Sequence, residues 1–248
     1  MKNIDPYYQT LFVVWGNQIL FWMLLLLTFE WYMLPLAIVA MYFFGCISEI
    51  SMHRYFAHKA YKTTSLKEKI LVGFSTLVGQ GAVLSWIAVH RTHHMYEDTP
   101  NDPHTPHYIS RWRLVLGLFP KRTYKIHIVS DLLRSPNRKY FIIENQFYWL
   151  LWSILWIGCF VINPLLLFFV VGGSALWYLC TQLVNIVCHQ KQGKKAYPSA
   201  VGANIPWINL VTGAGHHNNH HSNPKSYSYV FDREIDVYAF VIRKLFAS

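Results

Sequence analysis

Apolar residues in this chain are gathered into long runs rather than spread at regular intervals. A helix needs about 20 mostly apolar residues to cross the hydrocarbon core of a membrane, and four runs approach or reach that length. They cover residues 11–29, 33–50, 146–162 and 164–188. Short links at residues 30–32 and 163–164 join the runs in pairs. The pattern predicts an all-α membrane protein with four transmembrane helices arranged as two hairpins.

A fifth apolar run, residues 70–89, has the length of a span but a different composition. It contains three glycines and several polar side chains, among them Gln80 and Ser85. Only 31 residues separate His58 from His90, so a single crossing would leave these two histidines on opposite faces of the membrane. We therefore expect a buried or interfacial hairpin, whose irregular backbone is tolerable where protein covers it.

The basic residues lie outside the four spans and their links. The 22 Lys and Arg residues, which give a formal charge of +10, occupy residue 2 and the stretches 54–139 and 191–244. The positive-inside rule makes that side cytoplasmic. Both termini are then cytoplasmic, and residues 51–145 and 189–248 form a cytosolic helical cap on a single membrane domain, residues 1–248. Because topology accounts for the charge, we do not expect nucleic-acid binding.

Nine of the 13 histidines fall into four short clusters at or near the ends of apolar runs. The second and fourth clusters, HRTHH and HNNHH, have histidines spaced i, i+3, i+4, which share one face of a helix. Asn185 and His189 also share a face. The clusters comprise His53 and His58; His90, His93 and His94; His189; and His217, His220 and His221. Together they predict a metal site.

The first cluster does not fit a regular helix. His53 and His58 are five residues apart, about 140° around an α-helix of 3.6 residues per turn. They can converge only if the helix ends or bends between them. We expect His53 in the last turn of the second span and His58 just beyond it.

Imidazole suits zinc, copper, iron and nickel, so the ligand type alone leaves the metal open. A zinc protease would carry glutamate in an HExxH motif, but here Arg91 follows the first histidine of its cluster. Nine imidazoles are enough for two ions. Iron is best suited to activating dioxygen and removing hydrogen from an unactivated C–H bond, which no side-chain acid or base can do. A histidine-rich di-iron site using O2 is the resulting hypothesis.

The order of these clusters resembles that of the membrane fatty acid desaturases of the stearoyl-CoA and bacterial or cyanobacterial acyl-lipid delta-9 type. The resemblance runs from about His53 to the C-terminus and includes the stretches 85–90, 101–104, 213–215 and 234–236. It implies a four-helix transmembrane stalk under a cytosolic cap, with two irons at their junction. Val89 before His90, and the pair at residues 218–219, look more like the bacterial acyl-lipid branch.

The resemblance also implies roles for individual residues. Asn185 would reach one iron through water, and no catalytic residue is expected beyond the metal ligands. An acyl chain would enter a bent apolar tunnel and gain a cis double bond at a delta-9-like position. The implied iron ligands are His53, His58, His90, His93, His94, His189, His217, His220 and His221. The candidate tunnel residues are Trp86 and, with simple span packing as the alternative, Met41, Tyr42, Phe44 and Gly45.

The implied partners are the lipid membrane, an acyl-lipid or acyl-CoA substrate and a separate electron donor of the ferredoxin or cytochrome b5 type. Two alternatives stay open. A hydroxylase, ketolase or other oxygenase that acts on a lipid or carotenoid would share the fold and the metals. A non-catalytic metal-binding protein or transporter is a different class, and a transporter would carry polar ligands near the middle of the membrane rather than at the ends of its spans.

Overall fold

The computed structural model describes residues 3–190, 195–230 and 235–247, and these are mainly helical. The long helices are α1 (Tyr7–Leu27), α2 (Met33–Ala57), α7 (Arg138–Ile162) and α8 (Pro164–Cys188). The shorter helices are α3 (Ser65–Thr76), α4 (Val83–Tyr96), α5 (Arg111–Val115), α6 (Ser130–Leu133), α9 (Pro206–Thr212), α10 (His217–Ser222) and α11 (Val237–Val241). A 3₁₀ turn spans Ile126–Val129 and a π-helical turn Ile242–Phe246. Strands β1 (Asn3–Ile4) and β2 (Tyr124–Lys125) form one antiparallel pair.

The four long helices are the ones long and apolar enough to cross a membrane among the described residues. The predicted all-α architecture with four membrane helices is thus confirmed. Helix α8 has the predicted bounds, whereas α7 begins at Arg138, before the expected start at residue 146. The polar first part of α7 is stabilised by hydrogen bonds with residues of another helix. Glu144 accepts a hydrogen bond from the N–H of Val83, and Asn145 accepts one from Ser85.

Helix α8 packs against each of the other three membrane helices. A Cβ atom added to Gly173 would lie 2.4 Å from the Phe44 ring, so the absence of a side chain there lets α8 approach α2 closely. Asn17, a polar residue inside the first apolar run, is buried, and both the nitrogen and the oxygen of its amide are hydrogen-bonded. It donates to Ser174 Oγ at 2.8 Å and accepts from Trp156 Nε1 at 2.8 Å, which links α1, α7 and α8.

The fifth apolar run forms a hairpin, as predicted, with α3 leading through a buried turn into α4. Gly79 in this turn has φ +78, a left-handed conformation that favours glycine. A side chain there would also meet Ser174 of α8 at 2.0 Å. The hairpin is therefore inserted against the membrane helices. The extent of the cytosolic cap, and of the domain as a whole, stays a prediction.

Candidate metal centre

The predicted histidines converge into two groups of four imidazoles. The first imidazole group is His53, His58, His90 and His220, and the second imidazole group is His93, His189, His217 and His221. Within each group the available ring nitrogens all lie within 4.8 Å of one another. His94 lies between the groups, because it forms a third set with His220 of the first and His221 of the second. All nine histidines therefore belong to one continuous cluster.

Each HxxHH cluster is divided between the two groups. Helix α4 contributes His90 to the first group and His93 to the second, and α10 contributes His220 to the first and His217 to the second. The spacing predicted that the rings share one helical face. The structure adds that this face straddles both groups, so two short helices align the halves of the centre with each other.

His53 and His58 converge for a reason that helical periodicity did not predict. Helix α2 does not end near Ile50 but continues as a π-helix over Ser48–Ala57. A π-helix is closed by bonds between residues five apart, and the N–H of His58 donates to the carbonyl of His53 at 3.2 Å. Residues five apart then point in similar directions. His53 therefore lies in the last turn of the helix and His58 directly beyond it, as expected, but this last turn is a widened π-helical turn and the helix ends at Ala57 rather than near residue 50.

The Nε2 atoms of the histidines point toward one another at short range. Within the first group, the Nε2–Nε2 distances are 2.7 Å for His58–His90 and 3.2 Å for His53–His220. Within the second group they are 2.8 Å for His189–His217 and 2.9 Å for His217–His221. The Nε2 of His94 lies 3.0 Å from that of His220.

Four carboxylates contact the Nδ1 atoms of five of the imidazole rings. The Nδ1 contacts are His53 to Glu49 at 2.9 Å, His93 to Asp102 at 2.8 Å, His189 to Asp98 at 3.0 Å, and His94 and His221 to Glu97 at 3.1 and 2.6 Å. An Nδ1–H donated to a carboxylate fixes the tautomer and leaves the Nε2 lone pair free for a metal.

Sequence reasoning did not identify these carboxylates. The available signal was their position, since Glu49 precedes His53 by one helical turn and Glu97, Asp98 and Asp102 closely follow the HRTHH cluster. Such spacing alone does not distinguish a partner of imidazole from a solvated surface charge. The folded geometry makes that distinction.

The donor set fits a bound cation. His189 and His221 both direct Nδ1 at carboxylates, so both present bare Nε2 lone pairs to the Nε2 of His217. His217 can donate to only one of them, which leaves at least one repulsive contact between lone pairs. The buried Nε2 of His93 also has no hydrogen-bond partner among the described residues. A metal ion would satisfy these atoms together.

The protonation state of the rings supports the same interpretation. Burial, and then repulsion from neighbouring imidazoles, sets the pKa of several rings well below the usual value for histidine. These rings are His58, His90, His93, His217, His220 and His221. They are neutral at neutral pH, and neutral imidazole is the form that binds metals.

His104 is a further histidine of the site that the motif analysis left outside the candidate ligands. Its ring lies 4.2 Å from that of His93, measured between centroids, and burial lowers its pKa to about 4. Together with Asp102 these residues form another compact set of potential ligand atoms. His104 lies beside the second imidazole group and is not one of its four members.

An apolar cavity reaches the two imidazole groups. It lies between the start of α1, α4, α8 and residues 117–124, and it borders His53, His90, His93 and His217. Trp86 lines the cavity and stacks on His90 with a centroid distance of 4.9 Å and an interplanar angle of 13°. Its other apolar lining residues include Leu11, Val89, Phe119, Trp177 and Val184.

Among the predicted tunnel residues, Trp86 lines this cavity whereas the four on α2 lie elsewhere. Trp177 stands between the cavity and the part of α2 around Phe44 and Gly45, since it lines the cavity and also packs against these two residues. Met41 is partly buried beside Cys180, and Tyr42 is 43% exposed on the outer surface. A tunnel role for these four residues stays a prediction that the cavity lining does not support.

Asn185 also borders the cavity, near the end of α8 and one turn before His189. Its amide donates to Gln182 Oε1 at 3.4 Å, and both side chains face the same space. This position is compatible with the water-mediated role implied for Asn185, which stays a prediction.

Comparison with known proteins connects this geometry to a family. Residues 29–233 match the family model described as fatty acid desaturase. The chain belongs to the fatty acid desaturase family. It is 31% identical over 208 residues to an sn-1 stearoyl-lipid 9-desaturase of Anabaena variabilis, covering 78% of this chain and 73% of that protein. It is 30% identical over 231 residues to an sn-2 palmitoyl-lipid 9-desaturase of Nostoc sp. (strain 36), covering 84% and 76%.

A shorter match is to a protein with a different activity. Over 57 residues the chain is 51% identical to a hex-5-enoyl-acyl-carrier-protein acetylenase of Moorena producens (strain JHB), which covers 23% of this chain and 18% of that protein. The family predicted from the order of the histidine clusters is confirmed by these comparisons. The chain is accordingly an oxidoreductase of the fatty acid desaturase family with several membrane-spanning helices.

Proposed function

We propose that this desaturase uses O2 at a di-iron centre to introduce a cis double bond, at a delta-9-like position, into a saturated fatty acyl chain. The observation that carries the proposal is the cavity that runs to two groups of four imidazoles. The acyl chain loses two hydrogens, and O2 with two electrons and two protons ends as two molecules of water. When bound, the irons supply the oxidising power that an unactivated C–H bond requires.

The proposed iron ligands are the nine clustered histidines, with Asn185 acting through water. In this proposal the residues of the chain have separable tasks. Glu49, Glu97, Asp98 and Asp102 hold the rings in the ligating tautomer. Trp86 and the apolar cavity wall exclude water and hold one bond of the acyl chain beside the centre, so that position rather than chemical activation selects the carbon.

The relatives with stearoyl-lipid and palmitoyl-lipid in their names favour a lipid-bound acyl chain as the substrate. We further propose that both termini and the surface above the imidazole groups are cytoplasmic. Electrons would come from a separate ferredoxin or cytochrome b5 type carrier. A formal charge of +10 would speed the encounter with an acidic carrier.

Expression of the full chain in a host that lacks unsaturated fatty acids tests the proposal, with the membrane lipids profiled by mass spectrometry. We expect new acyl chains that have lost two hydrogens, and chemical derivatisation of the double bond gives its position. A His93→Ala variant should insert normally and give none. Absence of any new double bond from membrane-inserted, iron-loaded wild-type protein supplied with a reducing carrier would overturn the proposal.

The same lipid profile also distinguishes two related enzymatic activities from the proposed one. A hydroxylase would add one oxygen instead of removing two hydrogens. The match to an acetylenase over 57 residues gives a specific reason to test removal of hydrogens from an existing double bond. Feeding a mono-unsaturated acyl chain would reveal that activity as a triple bond, whereas the proposed desaturase leaves this chain unchanged at its double bond.

A further inference from the structure

Glu97 makes a contact that the other carboxylates of the centre do not make. Its Oε1 atom accepts from Nδ1 of His94 at 3.1 Å and from Nδ1 of His221 at 2.6 Å. Among the described residues, Glu49, Asp98 and Asp102 each pair with a single ring of the nine. One carboxylate oxygen therefore orients two imidazoles.

The two rings lie where the imidazole groups meet, His94 between the groups and His221 in the second. His94 reaches the first imidazole group, where its Nε2 lies 3.0 Å from that of His220. His221 belongs to the second group, where its Nε2 lies 2.9 Å from that of His217. The rings of His94 and His221 are stacked, with centroids 4.5 Å apart and planes 27° apart. Glu97 thus holds the stacked pair at which the two groups meet.

The charge and the position of Glu97 both suit it to hold the rings of His94 and His221. A carboxylate oxygen has two lone pairs and can accept two N–H donors at once. Glu97 lies at the C-terminal end of α4, directly after the helix that carries His94, whereas His221 comes from α10. Its carboxylate therefore fixes the orientation of α10 relative to α4 at the metal ligands.

We infer that Glu97 is a positioning residue that orients one ligand of each metal ion and so couples the two metal sites. The inference rests on the proposed di-iron function. It predicts different effects for Glu97 and Asp102. Among the nine clustered histidines of the described residues, Asp102 pairs only with His93 of the second group. Loss of Glu97 should disturb both metal sites, while loss of Asp102 should disturb one.

Ferrous iron binding to the purified full chain in detergent, without oxygen, tests this difference. Wild type, Glu97→Ala, Glu97→Gln and Asp102→Asn are titrated with iron and examined by Mössbauer spectroscopy. We expect Glu97→Ala to weaken both irons by about 10- to 100-fold and to change both iron signals. Glu97→Gln keeps an oxygen acceptor without the charge and should recover part of the affinity. Asp102→Asn should change one signal.

The inference is overturned if Glu97→Ala and Glu97→Gln bind two irons with the affinity and spectrum of wild type, or if they change only one site. In both cases a wild type that binds two irons leaves the proposed function standing. A wild type that binds fewer than two irons overturns the proposed function and this inference together. If Glu97→Ala is not a single folded species by size-exclusion chromatography, the comparison of Glu97→Gln with Asp102→Asn decides.

Discussion

Arg91 and Asp131 form a two-point ion pair behind the metal centre. Nη1 of Arg91 donates to Oδ1 of Asp131 at 2.7 Å, and Nη2 donates to Oδ2 at 3.0 Å. The same guanidinium donates to the carbonyls of Phe56 and Ala57, at 2.7 and 2.9 Å, at the end of α2. The arginine that takes the place of a zinc-protease glutamate in HRTHH therefore ties α4 to α2.

An Arg91→Lys substitution should destabilise the protein although it keeps the charge. A lysine ammonium cannot reproduce the planar fork, so the contacts to Asp131 and to the carbonyls cannot all be kept. We expect a loss of about 2 kcal/mol in the free energy of unfolding, measured in mixed micelles. Lys59→Ala is the matched control, because Lys59 also reaches Asp131 but is 61% exposed. Equal effects of the two variants would contradict the prediction.

The same ion pair predicts a dependence of stability on pH. Burial would raise the pKa of Asp131, but hydrogen bonds from Arg91 and Lys59 outweigh it and lower the pKa to about 2. A depressed pKa gives stability that is present above the unfolded value of about 3.9 and is lost as pH falls through about 2. Unfolding of wild type and Asp131→Asn, compared between about pH 6 and pH 2, should show the difference in free energy shrinking. A difference in free energy that does not change with pH would refute this prediction.

The existence of the four membrane helices, though not all of their bounds, could be predicted from sequence because length and composition decide it. Helix α8 matched residue for residue, since Asn163 caps it by accepting the N–H of Leu165 and Pro164 suits a first turn. The face shared by the HxxHH histidines also followed from spacing. The five-residue spacing of His53 and His58 indicated a departure from a regular helix, but not that this departure is a π-helical turn.

The parts that sequence could not predict depend on contacts between distant segments. Glu97 follows His94 closely in sequence, but its second partner, His221, lies 124 residues away. The cavity differs from the expected tunnel for a similar reason. Trp177 of α8 fills the space beside Gly45, which separates the α2 residues from the cavity. The sequence of one membrane helix does not indicate which large side chain of a neighbouring helix will pack against it.

The contact between Gly45 and Trp177 gives a prediction about substrate length. A Cβ atom at Gly45 would lie 2.6 Å from the Trp177 ring, so Gly45→Ala should push the indole toward the cavity. Such overpacking costs about 1 to 3 kcal/mol. We expect acyl products to shift toward shorter chains in the lipid profile. Gly158→Ala is the control, since nothing lies within 4 Å of the added atom. An unchanged product profile in Gly45→Ala would argue against the cavity as the acyl site.

Arg54 predicts how the C-terminal region is held. Its fully buried guanidinium lies 2.9 Å from Asp236 and donates to the Tyr227 carbonyl at 2.5 Å. An Asp236→Ala substitution would remove the hydrogen-bonded partner of this buried charge and leave Glu49, 3.7 Å from Nε, as its carboxylate partner, at a cost of about 3 kcal/mol. We expect faster proteolysis after residue 226 and lower stability. Arg243→Ala, which removes an exposed cation from the same region, should change neither, and equal proteolysis of the two variants would contradict the assignment.

Metal removal should lower stability because the imidazole groups place lone pairs against one another. At least one of the two contacts of the His217 Nε2 atom is repulsive when no cation lies between the Nε2 atoms. Iron at about one hundred times its dissociation constant would stabilise the fold by roughly 2.7 kcal/mol. We expect chelation to lower the thermal midpoint in detergent, and iron but not magnesium to restore it, because magnesium prefers oxygen ligands. The effect should be much smaller in His217→Ala. An equal response in that variant would mean that the stabilising ion binds outside the second imidazole group.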